Sequence, residues 1–111
     1  MEDKKLLRRY HHIGIPSQIP RQGEMYLKKY KLYATDHRTN PYGIQWMRYE
    51  PECSLPEVVK TIAHVAFEVV DLDAALKDKD VIIEPNSPSK GVKVAFILEG
   101  GAPVELIEFE K

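Results

Sequence analysis

The chain has 111 residues, 43% hydrophobic and 30% charged, with 16 basic and 17 acidic side chains for a formal net charge of −1. That length suits one domain, 1–111, and the balanced charge argues against nucleic acid or an anionic membrane as partner, since both call for a basic excess. No apolar run approaches the roughly 20 residues of a membrane span, and no signal-peptide core follows the charged start Met1-Glu2-Asp3-Lys4-Lys5, so a cytoplasmic protein is expected.

Residues 10–16 alternate as a strand that stops at Pro16, and the breakers Pro20 and Gly23 make 17–23 a loop. The tyrosines at 26, 30 and 33 fit helix or strand; a short helix over 24–29 passing into a strand near 31–35 is the favoured reading. Residues 36–43 form a turn-rich loop, and Ile44 to Glu50 has a strand vocabulary. The acidic, proline-bounded stretch Pro51 to Pro56 separates two halves and carries the only cysteine, Cys53. One cysteine excludes an internal disulfide and a thiolate zinc site, and acidic neighbours raise a thiol pKa, so Cys53 is expected to be inert.

The second half opens with a strand over 61–70, then Asp71 as the N-cap of a short helix whose apolar face is Leu72, Ala75 and Leu76, ending near Lys79. A strand over 81–84 closes at Pro85, and a hairpin pairs 92–98 with 103–109 around Glu99-Gly100-Gly101-Ala102. The order is β-α-β-β-β, and the first half is a compressed copy of it, a weak repeat of about fifty residues.

Three strands carry chemistry. His12 sits on the first, His64 opens the strand at its equivalent place in the second half, and Glu105 lies on the last. Two neutral imidazoles and a carboxylate are a ligand set for a divalent metal such as Zn, Ni, Co, Mn or Fe. Alternate residues share a strand face, so His12 and Gly14, then His64, Ala66 and Glu68, leave a small polar face opposite bulky aliphatics. On this reading His11 points away from His12 and His37 lies in a turn, both as ordinary surface histidines. The competing account makes His12, His64 and Glu105 ordinary edge or surface residues as well. An ion with open positions would act as a Lewis acid on a bound substrate, and proton-transfer chemistry there also needs a base. Glu105 is the first candidate and Glu68 the second, although Glu68 also reads as a solvated strand residue. Gln45, Met47 and Tyr49 would line the opposite cavity wall, with Trp46 and Arg48 facing away.

The segments His12-Ile13-Gly14-Ile15, His64-Val65-Ala66-Phe67-Glu68-Val69 with Asp71-Leu72, and Val104-Glu105-Leu106-Ile107-Glu108 resemble the vicinal oxygen chelate superfamily of glyoxalases, bleomycin-resistance proteins and extradiol dioxygenases. The second half resembles methylmalonyl-CoA epimerases. The resemblance implies an α+β fold of paired βαβββ modules, about 8–51 and 60–110, forming a curled mixed sheet around a cleft, with the first module shortened. It implies metal ligands at His12, His64 and Glu105, a small-molecule substrate whose two adjacent oxygens the ion chelates, isomerase or lyase chemistry through an enediolate, and a homodimer. The fourth ligand, counted back from Pro51, falls on Met47, a poor partner for a hard ion; Gln45, two residues earlier on the same face, serves if the register shifts. Met47 favours an alternative, a metal-free binding protein of the bleomycin-resistance kind. A ring-cleaving dioxygenase, with two histidines and a carboxylate on Fe(II), ranks lower.

Overall fold

A computed structural model describes residues 7–110. Its eight strands are β1 (Arg8–Pro16), β2 (Met25–Leu27), β3 (Leu32–Ala34), β4 (Ile44–Tyr49), β5 (His64–Val69), β6 (Asp80–Asn86), β7 (Val92–Glu99) and β8 (Ala102–Phe109). Two short helices, α1 (Glu57–Thr61) and α2 (Leu72–Leu76), and a 3-10 turn at His37–Thr39 complete the described elements. No helix among the described residues is long and apolar enough to cross a membrane.

The strands form one mixed sheet, ordered β2-β3-β4-β1-β5-β8-β7-β6, that curls into a half-barrel. The seam is the antiparallel pair β1–β5. Outward from it each half repeats one arrangement: the first strand lies parallel to its fourth, and antiparallel pairs follow. The halves differ where a helix would lie, because α2 follows β5 whereas only a loop follows β1.

Alternation along the strands sorts the side chains onto two faces. On the convex face Val69, Ala95, Ile97 and Leu106 pack against Leu72 and Ala75 of α2. Leu72 is fully buried, a burial worth about 1.5–3 kcal/mol for a leucine. The concave face carries a smaller cluster of Ala66, Val94 and Ile107.

Three local expectations are corrected. Residues 25–27 form strand β2 rather than a helix, in register with β3, and Tyr26 meets Tyr33 across the pair at 4.8 Å between ring centroids; cross-strand aromatic pairing outweighs the helical spacing of the tyrosines. Residues 57–61 are helical, with Pro56 at the N-cap, so β5 begins at His64 and not at Thr61. Strand β6 runs through Pro85, which an edge strand tolerates at an irregularity, and its register shifts between Ile83 and Asn86.

Candidate metal centre and its cavity

The sheet register assembles the three sequence-marked residues. Ala66 of β5 stands between His12 of β1 and Glu105 of β8, paired with both. Having only a methyl group, Ala66 lets the two longer side chains reach towards each other above it. Two residues along, His64 pairs with Gly14. A Cβ on Gly14 would lie 2.2 Å from Cε1 of His64, so only glycine leaves room for that ring.

Glu105 Oε1 lies 3.1 Å from His64 Nε2 and 3.3 Å from His12 Nε2. His64 is 1% exposed and His12 5%. Burial pushes the Glu105 carboxyl up, but the facing His12 and His64 imidazoles outweigh it and hold it below its ordinary value. The carboxylate therefore accepts, and His64 donates from Nε2 in the 3.1 Å hydrogen bond. His12 Nε2, 3.3 Å from the same oxygen, is buried without a hydrogen bond of good geometry. Such an orphaned polar atom calls for an occupant. The spacings suit one: ligand atoms on a tetrahedral ion with bonds of about 2.0–2.1 Å sit about 3.3–3.4 Å apart. The donor set of two imidazoles and one carboxylate fits a divalent metal.

The register also addresses the fourth position. Gln45 of β4 pairs with Gly14 of β1, as Glu105 of β8 pairs with Ala66 of β5. Gly14 follows His12 by two residues and Ala66 follows His64 by two, so Gln45 is the module-one counterpart of Glu105. Met47 lies two pairs further along, opposite Pro16. Both line the cavity together with Tyr49, whose hydroxyl donates to Met47 Sδ at 3.5 Å and whose phenol is pushed up chiefly by burial. Arg48 instead pairs bidentately with Glu24, and Arg21 lies over the Trp46 ring.

The cavity holds about 500 Å³. Leu32, Val59, Val94, Phe96 and Ile107 form apolar walls; His11, His12, His37, Gln45 and Glu105 supply polar groups. Residues of the inter-module segment, Leu55 and Val59, reach into it, and Cys53 is buried nearby in the chain. Across the rim the Tyr30 hydroxyl donates to Asn86 Oδ1 at 2.8 Å, linking the β2–β3 turn to the end of β6.

Two expectations fail here. His11 does not point away from His12: it is the extra residue of a β-bulge, since Tyr10 pairs with Phe67 and His12 with Ala66. A bulge breaks alternation, so both consecutive histidines line the cavity, their Nδ1 atoms 2.8 Å apart. His37, read as an ordinary turn residue, joins them, its ring centroid 4.5 Å from that of His11 and 5.2 Å from that of His12. Asp36 positions it by capping the 3-10 turn through the Arg38 N–H at 2.9 Å. Burial first, then the neighbouring His12, lowers the pKa of both His11 and His37. A histidine one residue before the candidate ligand His12 was the only sequence signal for this group. Glu68, by contrast, lines a separate concavity with Arg8, Arg9 and Val69, and Phe109 borders both hollows.

Comparison of the sequence with protein-family models and with curated proteins finds no match.

Proposed function

We propose that this chain is a metal-dependent lyase or isomerase of the vicinal oxygen chelate type, acting on a small molecule that joins an apolar body to a head with two adjacent oxygens. The observation that carries the reading is the convergence of His12 Nε2, His64 Nε2 and Glu105 Oε1 at 3.1 and 3.3 Å, with one buried Nε2 left unsatisfied. These atoms would hold a divalent ion, with Gln45 at the fourth position. When bound, the ion supplies Lewis-acid stabilisation of negative charge developing on substrate oxygens.

The chain's own residues supply the rest. Leu32, Val94, Phe96 and Ile107 bind the apolar body and exclude water, which strengthens every polar contact within the cavity. The Glu105 carboxylate takes the substrate proton: it is ionised at neutral pH, and the two imidazoles facing Oε1 suppress its basicity. Swinging clear of them restores it. Glu68, which lines the neighbouring hollow that Phe109 also borders, is the second candidate base. A second copy of the chain is the proposed cover for the cavity's open side.

Elemental mass spectrometry on untagged protein, repeated for His64→Ala, tests the proposal. Near-stoichiometric Zn, Ni, Co, Mn or Fe in the wild type and its loss in the variant are expected. No metal as purified, and none retained after dialysis against these ions, sinks it; the apolar cavity would then favour the metal-free binder, and ligand screening would follow.

A further inference from the structure

We infer that His11, His12 and His37 form a second, all-imidazole metal site that shares His12 with the first and suits a cation favouring square-planar nitrogen coordination, such as Cu(II) or Ni(II). Its three rings come from two elements, the bulged strand β1 and the 3-10 turn, and one nitrogen from each lies within 4.8 Å of the others. The first triad likewise draws one ligand atom from each of His12, His64 and Glu105. His12 belongs to both because its two nitrogens face different neighbours: Nε2 faces Glu105 Oε1, and Nδ1 faces His11 Nδ1.

Spacing and chemistry separate the two sites. Ligands at right angles on bonds of about 2.0–2.1 Å stand about 2.9 Å apart, against about 3.3–3.4 Å around a tetrahedral ion. The His11–His12 spacing of 2.8 Å matches the first geometry; the 3.1 and 3.3 Å spacings around Glu105 lie nearer the second. The second set contains no carboxylate, so it favours nitrogen-seeking cations over hard ones. Asp36 is an outer partner, its Oδ1 4.0 Å from His37 Nδ1, and Arg38 engages that carboxylate. His11 and His37 are half-buried and line the cavity, so a cation reaches them from solvent.

Without a cation, one shared proton satisfies the two facing Nδ1 atoms. Replacing it moves that proton to Nε2 of the donor ring. A neutral imidazole offers one lone-pair nitrogen, so His12 can serve either triad but not both, and the two sites compete for it. The inference does not depend on the first site being loaded.

Titration of untagged protein with Cu(II), followed by electron paramagnetic resonance and visible absorption, tests this in wild type, Glu105→Gln and Glu105→Gln/His37→Ala. Glu105→Gln disables the first triad while keeping side-chain shape, and His37 sits on a half-buried turn, so circular dichroism is expected to show all three folded. Glu105→Gln should bind Cu(II) with a tetragonal spectrum showing nitrogen splitting, and adding His37→Ala should weaken binding at least about tenfold, the scale of losing a metal-site partner. Equal Cu(II) affinity with and without His37, or no tetragonal nitrogen signal in Glu105→Gln, overturns the second site. Failure of the first site is read separately, from wild-type uptake of Zn or Mn.

Discussion

At the scale of single residues, the site depends on what is small as much as on what ligates. Gly14 sits under the His64 ring, and a Cβ there would also come within 2.7 Å of Nε2, the proposed ligand atom. Gly14→Ala should therefore displace His64, lower stability by about 1–3 kcal/mol as overpacking does, and abolish retention of the first-site metal. Urea unfolding and metal content check both effects; a variant that keeps its metal would show that the ring adapts. His12, His64, Glu105 and the smallness of Gly14 and Ala66 were legible in the sequence, because period-two alternation fixes which residues share a face. Which of Gln45 and Met47 is the register counterpart of Glu105 was not, because counting from Pro51 ignores where β4 pairs with β1. His11 escaped for a related reason, since nothing in Tyr10-His11-His12 announces the bulge that turns it inward.

At the scale of elements, α2 shows how a helix of five residues holds. Asp71 accepts the Ala74 N–H at 3.1 Å, and Glu108 of β8 accepts the Leu72 N–H at 2.7 Å. Two side chains thus satisfy donors that a helix start leaves unpaired, while Leu72 and Ala75 anchor it to the sheet. Asp71→Ala should cost about 1 kcal/mol as a lost N-cap, and Glu108→Ala about 1.5–3 kcal/mol as a lost charge-assisted bond. Both should appear in chemical denaturation with metal content unchanged, because α2 lies on the convex face. The Asp71 cap was readable locally; the Glu108 contact spans 36 positions and was not. Strands β7 and β8 were legible from alternation and the Gly100-Gly101 turn, whereas the β-branched Val58 and Val59 concealed α1.

At the scale of the whole molecule, the histidines couple the fold to pH. In the folded chain His11 and His37 titrate below the ordinary value of 6.5, so the unfolded chain takes up protons first. Their contribution to stability is complete above 6.5 and is lost as pH falls through that value towards the lowered folded ones. The thermal midpoint of wild type should drop between about pH 7.5 and 5.5, and His11→Asn/His37→Asn should flatten the drop; an unchanged slope would assign it to other groups. Glu105 acts in a lower window: its depressed carboxyl stabilises the fold above the ordinary 4.5, and that contribution disappears as pH falls further. The register carries one further consequence, for synthesis. The first triad draws on β1, β5 and β8, the first strand of each half and the final strand described. A chain emerging from the ribosome has both histidines well before Glu105, so the complete cradle exists only once β8 is laid against β5. Until then β1 and β5 can bring His12 and His64 together, but the proposed first triad lacks its carboxylate, which arrives only with β8.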